Sequence, residues 1–265
     1  MSVLVGGVAQ LYQGDLDLGR VAVQRLAGAQ LGPDVLVEEL SYGAVAVVQR
    51  LEELSPRALV LVGAAERGRP PGSVERRRPE PVALPPEQVQ VAVGEAVVGY
   101  VSLDLLFEVA AGLGALPERT VAIEVEPESR EPAETLSPSA QAGLERALEL
   151  VREEVVRVPV LELADEIREL MGPERSELAG APGTLRALLD ELEAVDREGR
   201  WGQTFALRER LRSEIAAGKT PEGMSALDWG LWWGLIEELD RLQPLEDRIG
   251  VEASPDGGRS PGADP

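Results

Sequence analysis

Short apolar runs alternate with amphipathic segments through the first half of the chain. The runs are rich in β-branched residues and predict strands at 3–8, 35–40, 58–63 and 121–125. Apolar residues at helical spacing predict helices at 18–26, 44–54, 102–112 and from 138 to about 157. Segment 59–62 is apolar at every position, as a strand buried on both faces requires. The alternation predicts an α/β fold, a twisted, mostly parallel sheet flanked by helices.

The pattern changes after Pro159 to charged segments with helical periodicity. We therefore expect an α/β domain over 1–157 and a C-terminal all-α extension, with a glycine- and proline-broken linker over 158–183. The extension is predicted to be a helical, tryptophan-bearing domain over 184–250. The final segment, 251–265, is rich in Gly, Pro, Ser and Asp and is predicted to be disordered.

All four tryptophans follow residue 200, and three of them form a stripe. Trp229, Trp232, Trp233 and Ile236 share one face of a predicted helix because they are spaced by three and four residues. Such a stripe is either the core of a small helical bundle or a surface that binds a partner, where tryptophans often dominate the binding energy. Both interpretations stay open at the level of the sequence.

Composition excludes several kinds of chemistry. The formal charge is −21, which argues against nucleic acid as a partner. The chain has no cysteine and no histidine, so it lacks thiolates, disulfides, the commonest transition-metal ligand and the commonest general base. No run approaches the ~20 apolar residues that span a bilayer, and no basic leader precedes the first strand. We expect a cytoplasmic protein without a membrane segment.

Three motifs occur in order along the predicted α/β domain. The first is Val3-Leu4-Val5-Gly6-Gly7 followed by Gly14-Asp15-Leu16-Asp17-Leu18-Gly19, the second is the apolar strand that ends at Gly63, and the third runs from Leu116 to Glu128. As a set they resemble the hydrogenase maturation endopeptidases. The resemblance covers residues 1 to about 157. It implies an α/β fold and an enzyme that removes a C-terminal tail from the large subunit of nickel-iron hydrogenases after recognising the nickel placed there.

The chain departs from that family at the residues that would contact nickel. The resemblance implies a carboxylate in the glycine-rich loop, a second at the end of the third strand, and a histidine before the next helix. The corresponding positions are Leu16, Gly63 and about Gly99. We therefore predict no metal site and no cofactor, and the family's nickel recognition is not expected to carry over.

Two loop carboxylates are weak catalytic candidates. Asp15 and Asp17 flank Leu16, and paired acids can divide acid and base roles without histidine. The alternative is that both are loop carboxylates with a capping role. Alternating residues of an extended loop point to opposite sides, so a shared site would need a kink.

Peptide contacts are predicted in two segments beside the implied cleft. Glu39 and Tyr42 lie where the second strand turns into a helix, and Tyr42 could contact a bound peptide or simply belong to that turn. Arg67 and Arg69 begin a glycine- and proline-rich segment, 67–86, that is predicted to be an exposed loop or hairpin with solvated charge. In an acidic protein these arginines could hold an acidic partner segment.

These observations favour a maturation-protease-like protein that binds the hydrogenase large subunit or its maturation factors, with proteolysis lost. Two alternatives remain. One is an active endopeptidase that uses acidic residues to remove the C-terminal extension. The other is a repurposed protein-interaction scaffold.

Overall fold

The structure is a computed structural model, and it describes residues 3–29, 31–32, 34–79, 101–175, 182–198, 202–217, 234 and 237. The chain divides into two compact units, Met1–Val155 and Val156–Pro265. Among the described residues, no helix combines the length and apolar character needed to cross a membrane. The tryptophan stripe, the position near Gly99 and the segment 251–265 lie outside the described residues.

A five-stranded sheet forms the centre of the first unit. Its strand order is β2-β1-β3-β5-β4, and all neighbours are parallel except β4, which pairs antiparallel with β5. The strands are β1 (Val3–Val8), β2 (Val35–Glu39), β3 (Ala58–Ala64), β4 (Val74–Arg77) and β5 (Arg119–Val125). This topology, flanked by helices, confirms the predicted α/β class.

Six helices are described. They are α1 (Leu18–Leu26), α2 (Ala44–Leu54), α3 (Leu103–Gly112), α4 (Pro138–Arg175), α5 (Pro182–Glu198) and α6 (Gly202–Ala217). Serine caps precede two of them. Ser102 accepts from the Leu105 N–H at 3.2 Å before α3, and Ser137 accepts from the Ala140 N–H at 3.1 Å before α4.

Two glycines let α1 lie directly against β1. A Cβ on Gly7 would come 2.2 Å from the Gly19 carbonyl oxygen, and a Cβ on Gly19 would come 2.1 Å from the Val8 carbonyl oxygen. Neither contact tolerates a side chain, because real Cβ atoms do not approach backbone so closely. The glycines of the first motif therefore fix the packing of helix on strand.

Apolar residues of the strands and helices bury the centre of the first unit. Leu4, Leu59 and Leu61 are fully buried in one cluster with Val47 of α2 and Leu106 of α3. Strands β1 and β3 are buried along nearly their whole length, which is why their sequences lack the alternation of a half-exposed strand.

The second unit has its own apolar core. Its members come from α4, α5 and α6 and are fully or nearly buried: Val160, Leu161, Leu163, Ala164, Ile167, Leu188, Leu189, Leu192, Val195, Leu207, Leu211 and Ile215. Helix α4 continues to Arg175 and so includes part of the segment that the sequence assigns to a linker. Val160, Leu163 and Ile167 keep helical spacing beyond Pro159, and their burial favours continuation of the helix.

Part of the segment 67–86, which contains Arg76-Arg77-Arg78, differs from its prediction as an exposed loop or hairpin with solvated charge. Residues Val74–Arg77 form the antiparallel edge strand β4. The Arg76 side chain is only 3% exposed, and its Nε donates to Glu154 Oε1 of α4 at 2.6 Å. A long-range ion pair, which sequence periodicity cannot reveal, accounts for this burial.

Candidate functional site

The carboxyl ends of β1 and β3 form the part of the sheet where the resemblance places metal ligands. The strands are neighbours and parallel, and Val8 is the partner of Gly63 in their register. Strands that run in the same direction bring their following loops to one edge, where open α/β sheets commonly bind ligands. Leu16 and Gly63 therefore belong to the same edge of the sheet.

Gly63 lies where no side chain fits. A Cβ built on it would come 2.7 Å from the Val8 carbonyl oxygen, and Leu103 Cγ and Cδ1 would lie 3.5 Å away. The close atom belongs to the backbone of β1, so it cannot turn aside as a side chain could. An aspartate here would require the two strands to move apart.

The donor set at this edge does not fit nickel. Leu16 is half-buried in the short 3-10 helix Gly14–Asp17 and has no ligating atom. No group of three His, Cys, Asp or Glu residues capable of holding a metal ion occurs among the described residues. Nickel favours imidazole and thiolate ligands, and the chain has neither.

Hydrogen bonds from distant parts of the chain hold the Asp15 carboxylate in place. Its carboxylate accepts the N–H groups of Glu128 and Ser129 at 2.8 and 3.1 Å, and the N–H and Oγ–H of Ser137 at 2.7 and 2.9 Å. The residue is 1% exposed. Burial raises the pKa of Asp15, but these four donors outweigh it and hold the pKa below its usual value. Three of these donors bind Oδ2 and one binds Oδ1, and the side chain is buried, so little of the carboxylate is open to a substrate.

Asp17 is bound to a neighbouring arginine. Its two carboxylate oxygens each lie 2.9 Å from Arg20 Nε, and Arg20 Nη2 donates to Asp17 Oδ2 as well. Asp17 is 3% exposed. The structure thus gives the two aspartates different partners, and no hydrogen bond joins their carboxylates.

A dense set of ion pairs occupies the other end of the same edge, beyond β3. We call it the arginine network. It joins three guanidiniums to three carboxylates from separate parts of the chain, namely Arg67, Arg69, Arg77, Asp104, Glu124 and Glu126.

Glu124 is the centre of the arginine network. Arg67 donates to both of its oxygens, at 2.8 and 3.0 Å, and Arg77 Nε donates to Oε1 at 2.7 Å. The Glu124 side chain is 1% exposed. Burial raises the pKa of Glu124, but the hydrogen bonds and charges of Arg67 and Arg77 hold it below the usual value. The carboxylate is therefore ionised and fully paired at neutral pH.

Glu126 and Asp104 complete the arginine network. Glu126 accepts the backbone N–H groups of Arg67 and Gly68 at 2.8 and 3.0 Å, and Arg69 Nε at 3.2 Å. Asp104 accepts from Arg67 Nη1 at 2.9 Å, and the Arg67 hydrogen bond is the main cause that lowers the pKa of Asp104. These contacts order the turn after β3.

The predicted peptide contacts lie in two different environments. Arg67 and Arg69 are engaged inside the arginine network, and their binding to an acidic partner stays a prediction. Tyr42 is 52% exposed after β2. Glu39 is half-buried at the end of β2, and its side chain makes no hydrogen bond or ion pair within the described part of the chain. Trp229, Trp232 and Trp233 lie outside the described residues.

Sequence reasoning missed Glu124, Glu126 and Arg77 as interacting partners. The spacing of Glu124 and Glu126 at the end of β5, opposite the Arg67-Gly68-Arg69 turn, was the available signal. It could not be used because the antiparallel pairing of β4 with β5 is a tertiary contact.

Comparisons with known proteins gave matches among solved structures only. No protein-family model matches the chain, and no curated protein matches its sequence significantly. The hydrogenase 2 maturation peptidase of Thaumarchaeota archaeon SCGC_AB-539-E09 is 25% identical, with 58% of this chain and 98% of that chain covered and a TM-score of 0.43. For the Escherichia coli hydrogenase maturating endopeptidase HybD the identity is 25%, the coverage 57% and 90%, and the TM-score 0.44.

A third match is the [NiFe] hydrogenase maturation protease HycI of Thermococcus kodakarensis. It is 21% identical, with 58% of this chain and 92% of that chain covered and a TM-score of 0.38. The matched structures thus carry the name of the family whose motifs the sequence resembles, the hydrogenase maturation endopeptidases.

Proposed function

We propose that this protein acts in nickel-iron hydrogenase maturation as a non-catalytic factor that binds the large subunit or its maturation partners. The process is suggested by the order of the sequence motifs, and the solved structures above are named for the same process. The proposal places the protein in the cytoplasm and gives it no resident metal or cofactor.

The observation that carries the non-catalytic part is the backbone contact at Gly63. The resemblance implies a carboxylate there, yet its Cβ would lie 2.7 Å from the Val8 carbonyl oxygen. If another metal-binding side chain had replaced the implied carboxylate, position 63 would have space for that side chain. Here the backbones of β1 and β3 leave no such space. This favours an edge adapted to the absence of a metal contact.

The environments of the two aspartates support the same proposal. An acid pair that divides proton-transfer roles needs two carboxyl groups close together with their pKa values driven apart. Asp15 accepts from three N–H groups and one hydroxyl, and Asp17 is bound by Arg20. The pKa of Asp15 is lowered, whereas a general acid near neutral pH requires a raised one.

The test is to mix the purified protein with nickel-loaded precursor of a hydrogenase large subunit encoded near its gene. We expect the two to co-elute from a size-exclusion column with the intact mass of the precursor unchanged. Nickel-free precursor is the matched control. It should co-elute equally, because this protein lacks the side chains that would contact nickel.

Two outcomes would overturn parts of the proposal. Loss of a C-terminal peptide would show an active endopeptidase, and the Asp17→Asn variant would then show whether that carboxylate takes part. Failure of both precursors to co-elute, without cleavage, would reject the large subunit as the partner.

A further inference from the structure

A cavity of about 700 Å³ lies between helix α1, the amino end of α4 and the loop before α4. Its volume is in the range of pockets that bind small ligands. We call it the helix cavity. Leu16 and Gly63 are not among the described residues that line it, so it is distinct from the part of the sheet edge where the resemblance places metal ligands.

Ion pairs occupy the charged side chains of the helix cavity. Asp17 binds Arg20, with both carboxylate oxygens 2.9 Å from Arg20 Nε. Arg25 of α1 and Glu145 of α4 form a bidentate pair at 2.9 and 3.0 Å, which joins the two helices. Both lining arginines are therefore paired, and Glu134, exposed in the loop, adds a further carboxylate. A negatively charged ligand would thus meet no unpaired arginine among the described lining residues and would be repelled by Glu134.

The helix cavity also has an apolar surface. Leu144 of α4 is 1% exposed, and Val21 of α1 and Leu136 of the loop are half-buried. These three side chains come from the three segments that enclose the cavity. They favour a ligand with a small apolar group, which would be removed from water on binding.

Two carboxamides line the helix cavity, one on each helix. Gln24 of α1 and Gln141 of α4 are exposed, and their side chains make no hydrogen bond with residues that the structure describes. A carboxamide has a carbonyl oxygen and an NH₂ group, so it can accept from a peptide N–H and donate to a peptide carbonyl. The main chain of an extended peptide presents both of these groups.

Tyr12 lies beside the helix cavity in a backbone conformation that its side chain disfavours. Its φ is 60°, in the left-handed region where glycine is the usual residue, and it is 68% exposed. The Ala133 N–H donates to the Tyr12 carbonyl at 3.2 Å, and the Gly14 N–H donates to the Ala133 carbonyl at 3.1 Å. These bonds place the Tyr12 turn next to two lining residues, Gly14 and Glu134. A strained aromatic residue that is not stabilised by burial points to a functional contact.

We propose that the helix cavity, with Tyr12 at its mouth, binds a short extended peptide segment that has no acidic side chain. Gln24 and Gln141 bind the main chain of the segment, and the apolar surface contacts one of its small apolar side chains. Tyr12 packs over the bound segment. The site is separate from the closed position at Gly63 that carries the proposed function, and its test needs no hydrogenase subunit, so either proposal can fail without the other.

The experiment uses the full chain and the capped, uncharged peptide Ser-Val-Ser-Val-Ser in isothermal titration calorimetry. The same peptide with aspartate in place of serine is the charge control, and a peptide with an ester in place of the central amide tests main-chain recognition. We expect the uncharged peptide to bind, the aspartate peptide not to bind, and the ester peptide to bind about fivefold more weakly. Gln24→Leu and Gln141→Leu should each weaken binding of the uncharged peptide by a similar factor.

Three further variants have matched readouts. Ala142→Trp should fill the helix cavity and abolish binding, whereas Ala46→Trp, at an exposed alanine of α2, should bind like the parent chain. Gln49→Leu, also exposed on α2, is the control for the two glutamine changes and should bind normally. Tyr12→Gly should weaken binding without lowering the melting temperature, because glycine adopts the backbone conformation of this position without strain.

Several outcomes would overturn the proposal. They are absence of binding by the parent chain, equal binding of the uncharged and aspartate peptides, and unchanged binding by a folded Ala142→Trp variant. If Ala142→Trp does not fold, the two glutamine variants decide the matter, and unchanged affinity in both of them rejects the site. Unchanged affinity of Tyr12→Gly contradicts the place of Tyr12 over the bound segment.

Discussion

The two ends of the sheet's carboxyl edge differ in how they use charge. Over β1 and β3, the positions of interest are Leu16 and Gly63, which carry no ionisable group. Over β5 and β4, Glu124 and Glu126 are almost fully buried and are paired with arginines. One end is closed by backbone contact, and the other is held by ion pairs.

This difference shows two ways of supporting one edge of a sheet. The strands touch at Gly63, and the charges near β5 have partners within the chain. The edge is therefore supported along its length without an unpaired charge at Glu124. The first prediction changes a residue of the charged end, the second changes Gly63 of the closed end, and the third changes Asp15 in the loop after β1.

Glu124→Gln should have the largest effect. The change removes the charge that Arg67 and Arg77 share in a side chain that is 1% exposed, and it leaves these two half-buried arginines with Asp104 as their common carboxylate. We expect the free energy of unfolding to fall by about 3 kcal/mol, measured by urea denaturation. Glu118→Gln, an exposed carboxylate outside the arginine network, is the control and should change little. Equal losses of unfolding free energy in both variants would show that the arginine network adds no more stability than an exposed carboxylate does.

Gly63→Asp tests whether the closed end can accept the carboxylate that the sequence resemblance implies. The new Cβ would meet the Val8 carbonyl oxygen at 2.7 Å, so β1 and β3 would have to separate. We expect a loss of about 2–3 kcal/mol in thermal unfolding and no stabilisation by added Ni²⁺. Gly28→Asp is the matched control because a Cβ at Gly28 meets nothing within 4 Å. An unchanged stability of the Gly63→Asp variant, or its stabilisation by Ni²⁺, would contradict the closed edge.

Asp15→Asn should have a somewhat smaller effect with a distinct pH dependence. The variant loses the negative charge that three N–H groups and the Ser137 hydroxyl stabilise, which should cost about 2 kcal/mol near neutral pH. Because the folded pKa of Asp15 is lowered, its contribution is complete above the unfolded pKa near ~4. It is lost as the pH falls through the folded pKa.

The measurement is the free energy of unfolding at a series of pH values below neutrality. The parent chain should lose stability on acidification, since Glu124 and Glu126 also have lowered pKa values. The Asp15→Asn variant should lose less over the same range. Parallel curves for the two proteins would show that Asp15 is not the anchor of its loop.

Much of the first unit's secondary structure could be predicted from local pattern. Helices at 18–26 and 44–54 and the strand from residue 58 agree with α1, α2 and β3. Their signals are strong because apolar residues recur at the period of the element. The serine cap at Ser137 is an equally local signal, whereas Ser102, included in the predicted helix 102–112, is the cap before α3.

Strand β4 shows where local pattern ends. Val74–Arg77 has one apolar residue and three charged ones, so it reads as solvated loop. Its pairing with β5 and the Arg76 contact to Glu154 bring together positions far apart in the chain. No periodicity within four residues can encode contacts of that range.

The candidate site divides in the same way. The sequence alone determined that the chain has no imidazole or thiolate ligand for nickel. It also determined that Leu16 and Gly63 occupy the implied carboxylate positions, because side-chain chemistry is fixed by residue identity. Only the tertiary structure decided that Gly63 touches the Val8 carbonyl, that Asp15 is buried and hydrogen-bonded to the loop before α4, and that Glu124 is paired with arginines. Distances between residues remote in the chain depend on how strands and helices pack, and packing is a property of the whole unit.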